Sequence, residues 1–369
     1  MTSMPRAAIP EYASRHGFDS CPPGHRFNLY FPVWDDQWKI PKDGARADAL
    51  RQTLNLGSAA PALNAVLKRQ QALAESLSPD RCLIVEAESR SPFSTGLGLE
   101  HPIENGFAFL SPYGLPYLAG SGVKGVLRRA AEELQADGRP GYDSATIDAL
   151  FGPENTDAAR RGALSCWDVF PVPQNGTMSV EIMTPHYSHY YQPEKGKEAY
   201  ATPHDSGKPN PIAFLALPPG SRLRFIVACE PALLREMPQD AWADRVRDIL
   251  EHAFDWLGFG AKTAVGYGAL RRLSTDEVEK ERAKFEASAL RCEWVDATIR
   301  ELAAKNRAPE DETLRGKALA EAWAALTDQP LRNRALADIR ARWQAMGWWD
   351  SPPGGSSKKA KQIYESGNS

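Results

Sequence analysis

Paired cysteines are absent from this sequence. Five cysteines are present, Cys21, Cys82, Cys166, Cys229 and Cys292, all widely spaced. An odd count with no C-x-x-C pair argues against both a zinc site and a disulfide framework. The expectation is reduced, mostly buried thiols in a cytoplasmic protein with no metal and no cofactor. Long apolar runs are also missing: none approaches the roughly 20 residues that cross a bilayer. The first residues, Met-Thr-Ser-Met-Pro-Arg-Ala, lack the apolar core of a secretory signal. Neither charge is in large excess, since 44 Lys and Arg against 47 Asp and Glu leave a net −3. That is not the footprint of a chain coated by nucleic acid on all sides, so a polyanion would have to meet a local basic track. No repeat of fixed period is visible.

What is present has an ordinary globular balance, 42% hydrophobic and 25% charged. Residues 1–80 read as an arm and helices that pack on a core. The arm, to about residue 43, is rich in Pro, Gly and aromatics, as in Cys21-Pro-Pro-Gly-His-Arg-Phe27. Two helical segments follow, divided near Gly57 and Pro61. From Cys82 to Glu88 the pattern alternates, with Leu83, Val85 and Ala87 on one face, which predicts a strand. Val123, Val126, Leu127, Ala130, Ala131 and Leu134 form a helical stripe, with Ser121 or Gly120 as the expected N-cap. Strand-like runs lie near 163–170, 178–183, 212–217 and 222–229. Pro218-Pro219-Gly220-Ser221 between the last two reads as a hairpin turn. A second helix is expected over about 240–257, stopped by Gly258, and a short strand near 269–273.

The order strand, helix, strands, helix, strand predicts an α+β fold. Its centre is a ferredoxin-like (RRM-like) βαββαβ core over 81–274 with added strands. Strict βα alternation, which a doubly wound sheet needs, is missing. Residues 275–350 read as a helical extension opened by a capping box at Ser274 and Glu277. Trp294, Trp323 and Trp343 are expected in its core, whereas adjacent Trp348 and Trp349 are not expected to point inward together. The Gly/Ser/Lys-rich tail, 351–369, is expected to be disordered.

Two glycine loops carry the chemistry. Gly120, Gly122 and Gly125 spell G-x-G-x-x-G, but Pro112, Gly114 and Pro116 precede them where a dinucleotide-binding turn needs a buried strand. Val123-Lys124-Gly125 is also not the Gly-Lys-Ser/Thr of a phosphate-binding P-loop. Lys124, Arg128 and Arg129 nonetheless sit near a positive helix end, where a bound anion would relieve the conflict. Ion pairs from Arg128 to Glu132 and from Arg129 to Glu133 explain the pattern equally well. The second loop, Gly258-Phe-Gly-Ala-Lys-Thr-Ala-Val-Gly-Tyr-Gly268, tips the balance, because closely spaced glycines let backbone amides approach phosphate. A ferredoxin-like sheet could bring both loops to one surface, with Arg271 and Arg272 beyond.

These residues resemble the RAMP superfamily of CRISPR effector subunits, on Tyr117-Leu-Ala-Gly-Ser-Gly-Val-Lys-Gly-Val-Leu-Arg128 together with the 258–268 loop. Gly98-Leu-Glu-His-Pro102, Met183-Thr-Pro-His-Tyr-Ser-His-Tyr-Tyr191 and Pro209-Asn-Pro-Ile-Ala-Phe-Leu215 are similar to the Cmr-type subunit six family of type III-B complexes. The resemblance covers roughly residues 80–274. It implies a non-catalytic subunit that caps the 3′ end of the backbone of an RNA-targeting ribonucleoprotein in antiviral defence. The implied partners are the 3′ region of the guide RNA, target RNA, a backbone RAMP subunit, a small helical subunit and a neighbouring RAMP subunit. No membrane is implied. The implied RNA-binding residues are Gly120, Ser121, Gly122, Lys124 and Arg128 in the first loop and Gly260, Lys262, Thr263 and Gly266 in the second. Contacts to phosphate position a strand without reading its bases, which suits guides of varying sequence.

The segment 186–211 reads as a further candidate RNA-binding or partner-binding loop, with His186, Tyr187, Tyr190 and Tyr191 among its aromatics and Lys195, Lys197 and Lys208 among its cations. The x-x spacing of His186 and His189 lacks the other ligands a zinc site needs. Two rival readings stand beside RNA binding. One is an endoribonuclease with His101 as base, with Asp168 a weaker candidate. Against it, His101 has no evident catalytic partner and reads more simply as a structural histidine beside Pro102. The other is an adaptor bound only to protein, docked through the Trp-rich helices.

Overall fold

The computed structural model describes residues 5–13, 17–18, 20–41, 44–154, 160–185, 211–234, 241–279 and 292–366. The chain divides into two compact units, Met1–Leu273 and Ser274–Ser369.

Strands of the first unit are β1 (Cys82–Ser89), β2 (Phe109–Leu110), β3 (Leu115–Pro116), β4 (Leu164–Cys166), β5 (Ser179–Met183), β6 (Ile212–Ala216), β7 (Arg222–Cys229) and β8 (Leu270–Arg272). Its helices are α1 (Pro23–Asn28), α2 (Ala45–Arg51), α3 (Ala60–Ser76), α4 (Gly120–Ala136), α5 (Ser144–Phe151) and α6 (Trp242–His252). The main sheet has the order β4-β7-β1-β8, with every neighbouring pair antiparallel. Read along the chain as β1-α4-β4-β7-α6-β8, this is the ferredoxin-like arrangement, and the fold is α+β. The β1–β7 pairing is the longest, from Cys82 opposite Ala228 to Glu88 opposite Arg222.

Alternation decides which side of the sheet is buried. Leu83, Val85 and Ala87 point one way and are buried. On that side Phe225 of β7 meets Phe254 and Phe259, with ring centroids 4.9–5.8 Å apart. The α4 stripe, Val123, Leu127, Ala130, Ala131 and Leu134, is buried, as are Trp242, Val246, Ile249 and Leu250 of α6. Each large apolar side chain removed from water contributes about 1.5–3 kcal/mol, so these two stripes hold the helices in place. The opposite face carries Glu86 and Glu88 against Arg224 and Arg222. There Gln71 of α3 accepts from Arg224 Nη1 at 2.9 Å.

Three expectations for this unit need correction. The 218–221 turn does not make a hairpin of β6 and β7. Instead β6 pairs with β5 in a separate two-stranded sheet, from Ser179 opposite Ala216 to Met183 opposite Ile212. Two prolines remove backbone donors at this point, and the turn wraps the end of β1: Gly220 N donates to Ser89 O at 2.7 Å and Ser221 N to Ser89 Oγ at 3.0 Å. The strand expected over 163–170 stops at Cys166, because Asp168 turns toward α4 and Val169 bridges to Leu118. The α-helix expected to 257 ends at His252. Its last residues form a wider turn in which Gly258 N donates to Ala253 O, five residues back, at 2.8 Å.

In the second unit, Ser274 and Glu277 form the capping box: Ser274 N donates to Glu277 Oε2 at 2.9 Å and Glu277 N to Ser274 Oγ at 3.3 Å. Its helices are α7 (Glu293–Asn306), α8 (Glu310–Leu314), α9 (Lys317–Ala324), α10 (Gln329–Ala345) and α11 (Gly354–Ser366). They enclose Val295, Ile299, Leu319, Trp323, Ile339, Trp343 and Tyr364. Asp338 is fully buried here. Its carboxylate takes both Nε and Nη2 of Arg342, at 2.7 and 2.8 Å, and the amide of Cys292 at 2.8 Å. The tail contradicts the expected disorder. Residues 354–366 form α11, which places Ala360 and Tyr364 in the core. The composition concealed two apolar anchors four residues apart, one helical turn. Trp348 and Trp349 both pack on this core, partly buried, each beneath a guanidinium, Arg315 and Arg340.

Candidate nucleic-acid interface

One glycine of the first loop is set by packing, whereas Gly122 and Gly125 have room for a side chain. A Cβ on Gly120 would lie 2.2 Å from Cys166 O, so only glycine lets α4 start against the end of β4. The residue before the helix is Ala119, which offers no side-chain cap. The cap comes from a distant part of the chain: Gly120 N donates to Asp168 Oδ1 at 2.7 Å. The negative charge that a helix N-terminus favours is therefore supplied by the protein itself. Asp168 is thus tied to the start of α4 rather than held on a strand.

The cations of this loop have partners within the chain as well. Lys124 Nζ donates to Leu164 O at 3.0 Å. Burial pulls its pKa below the usual lysine value, and the nearby charges of Arg161 and Arg128 add to that. Beside it, burial pushes the Cys166 thiol up to about 12, so that group stays protonated. Arg128, 21% exposed, meets Glu132 at 3.1 Å, Glu154 at 3.4 Å and Asp148 at 3.8 Å. It also donates to Gly152 O at 2.6 Å. Arg129 pairs with Glu133 at 3.3 Å. Arg271 and Arg272 are held by Glu88 and Glu251, at 2.9 and 2.6 Å. Ser121 and Gly122 remain exposed.

The second loop differs. Gly260 has φ +89°, and a Cβ there would lie 2.2 Å from Ser94 O, so this glycine too is set by packing. Gly266, at φ +92°, has open space around the position of its missing Cβ. Lys262 adopts the left-handed region at φ +61°, uncommon for a side-chain-bearing residue. Its ammonium lies 5.7 Å from the Phe214 ring centroid, and no carboxylate among the described residues pairs with it. Thr263 is half-buried, whereas Ala264, Val265 and Gly266 form an exposed tip; Val265 is 71% exposed. Trp256, just before the loop, is 78% exposed, a feature that helical periodicity did not single out.

Backbone bonds tie both loops to one segment. Ala261 N donates to Ser94 O at 2.7 Å, Ala108 N to Thr95 O at 3.0 Å and Tyr117 N to Ala108 O at 3.3 Å, three residues before Gly120. The sheet face that RRM-like proteins use to stack bases carries charge here: Glu86 and Glu88 pair with Arg224, Arg222 and Arg271.

His101 is locked in place. Its ring stacks on Phe27 at 3.8 Å, Nε2 bonds Phe27 O at 3.0 Å, and Nδ1 accepts from Ile103 N at 3.4 Å. A carbonyl only accepts and an amide only donates, so the proton sits on Nε2 of a neutral ring. Burial lowers its pKa below the usual histidine value. Among the described residues, no group of three or more His, Cys, Asp or Glu is arranged to hold a metal. No described helix is long and apolar enough to cross a membrane. His186, Tyr187, Tyr190 and Tyr191 lie outside the described residues.

Residues 86–271, from within β1 to within β8 and including both glycine loops, match the sequence model of the RAMP superfamily. The chain belongs to the RAMP superfamily. Within it, the chain is similar to the CRISPR system Cmr subunit Cmr6 of Pyrococcus furiosus, 28% identical over 233 residues. That match covers 50% of this chain and 66% of the relative. It is also similar to the CRISPR system CMR subunit Cmr6 of Saccharolobus solfataricus, 28% identical over 186 residues, covering 50% of this chain and 54% of that one. The chain thus spans about two thirds and about half of the length of these two relatives. Among solved structures, a chain of the type III-B Cmr-beta complex bound to cognate target RNA aligns with a TM-score of 0.45 at 21% identity. That alignment covers 62% of this chain and 70% of that chain.

Proposed function

We propose that this RAMP protein is a non-catalytic, guide-RNA-binding subunit of a type III-B CRISPR effector, capping the 3′ end of its backbone. In such a complex it meets target RNA, a backbone RAMP subunit, a small helical subunit and a neighbouring RAMP subunit. The names of its two curated relatives support the assignment to a Cmr-type complex. One observation carries the RNA contact: Lys262 holds a cation without a carboxylate partner, among the described residues, on a glycine loop whose tip is exposed. Thr263 and the amides at Gly266 lie beside it on the same turn. Phosphate is the ligand such a loop suits, and phosphate contacts carry no sequence preference. Of the first loop, Ser121 and Gly122 are the exposed candidates for contact.

The absence of catalysis rests on the two candidate bases. His101 is held by Phe27 and Ile103, and Asp168 caps α4. The test is retention of guide RNA by the assembled complex over a salt series. Lys262→Glu should release RNA at lower salt and flatten the slope of log affinity against log salt by about one phosphate contact, or ~0.7 for a single strand. Retention equal to wild type across the series would refute the loop's role. Labelled RNA incubated with the purified chain, with and without divalent cation, should stay intact; cleavage lost in His101→Ala would establish the nuclease reading instead.

A further inference from the structure

The indole of Trp256 is 78% exposed, more than any other large apolar side chain among the described residues. Regular helical geometry would bury it. The α6 stripe runs through Trp242, Val246, Ile249 and Leu250 to Ala253, all buried. Trp256 follows Ile249 by seven residues, about two turns of 3.6, so a regular helix would set it on that stripe. The widened turn over Ala253–Leu257, closed by Gly258 N donating to Ala253 O, takes in one extra residue. Leu257 is half-buried in its stead, and Trp256 turns out to solvent. Widened turns of this kind concentrate at functional sites.

We propose that Trp256 is a stacking platform for an unpaired base of the RNA strand that meets the 258–268 loop. The inference rests on the phosphate-binding reading of that loop and adds a contact of another kind, to a base rather than to the backbone. The widened turn runs straight into the loop. A Cβ on Gly258 would lie 3.2 Å from Thr263 Cγ2, so the end of the turn touches the residue after Lys262. Trp256 stands two residues before Gly258, at most about 7.6 Å away between Cα atoms. A base on the indole and a phosphate at Lys262 can therefore belong to one short run of nucleotides. The ring is open to a base. Trp323, Trp348 and Trp349 each lie beneath a guanidinium, whereas Trp256 has no such cover among the described residues. The acids beside it are engaged: Asp255 faces Arg90 at 3.8 Å and Glu251 meets Arg272 at 2.6 Å. A protein neighbour would also cover an indole, but the Lys262 ammonium, unpaired with carboxylate among the described residues, favours a polyanion. An aromatic platform beside a cation is how single strands are held without regard to sequence, since every base has a π-face.

The test uses the assembled complex loaded with a guide whose 3′ region carries 5-iodouridine. After near-ultraviolet irradiation, RNA-linked peptides are mapped by mass spectrometry. An adduct on Trp256 is expected, alongside adducts within 262–267. Trp256→Ala should weaken RNA retention about tenfold. It should do so at every salt concentration and leave the slope of log affinity against log salt unchanged, because stacking releases no counterion. Lys262→Glu, in contrast, changes that slope. Trp256→Phe should keep most of the affinity, and neither Trp256 variant should move the urea midpoint. Adducts within 262–267 without one on Trp256, or wild-type retention in Trp256→Ala, overturn the stacking and leave the loop reading standing. Adducts at neither place overturn both. Loss of an adjoining protein subunit in Trp256→Ala, with RNA retention unchanged, also overturns the stacking and assigns the indole to a protein neighbour.

Discussion

Arg128 and Lys262 are equal candidates by charge and loop, and the structure gives them opposite surroundings. Arg128 is enclosed by Glu132, Asp148 and Glu154, whereas Lys262 faces an aromatic ring and a bare loop. Arg128→Glu is therefore a stability mutation, since it gathers acids around a lost guanidinium. The expected cost is about 2 kcal/mol, discounted for partial exposure, and is read as a lower urea midpoint with RNA contacts intact. Lys262→Glu should leave the urea midpoint unchanged and act on RNA retention alone. A reversed pattern would return the first loop to the RNA surface. His101 adds a pH dependence. Its folded pKa lies below the value of the unfolded chain, so protonation opposes folding. Its contribution is complete above the ordinary histidine range, near pH 6.5, and is lost as pH falls through the lowered value. The difference in unfolding midpoint between wild type and His101→Phe should therefore change between pH 7.5 and 5. A difference that does not vary with pH would mean that His101 is not held neutral.

Elements with strong periodicity are legible in the amino-acid pattern alone. Alternation in β1 and the stripes of α4 and α6 follow from side-chain geometry; β1 and α4 stand where the pattern puts them, and α6 does so up to His252. What depends on distant partners is not legible. Asp168 caps a helix 48 residues earlier in the chain, and local propensity carries no trace of such a bond. The β5–β6 pairing bridges the segment between them, whereas the adjacent turn suggests a closer mate for β6. α11 is hidden because Gly, Ser and Lys dominate its composition while Ala360 and Tyr364 do the packing. Tyr364→Ala should cost the helical unit about 3–5 kcal/mol, as large-to-small changes in a core do. The measurement is the denaturant midpoint followed by tryptophan fluorescence; an unchanged midpoint would mean that α11 is dispensable to that core. At the start of α4, Gly120→Ala drives a methyl into Cys166 O. It should cost about 1–3 kcal/mol through forced backbone movement.

At the scale of the whole molecule, the family match ends at 271 and the first compact unit at Leu273, so the helical unit lies outside the matched region. The RAMP unit carries its cation loop on a scaffold whose sheet-face charges are engaged in cross-strand ion pairs. A ligand that meets this unit at the 258–268 loop meets amides and one ammonium, chemistry that grips a sugar–phosphate strand of any sequence. The most direct measurement is ultraviolet crosslinking of the natively purified complex, with RNA-linked peptides mapped by mass spectrometry. The account predicts adducts within 262–267 and none on the side chains of Lys124 and Arg128. Adducts confined to the 120–128 segment, or a complex purified without RNA on this subunit, would contradict it.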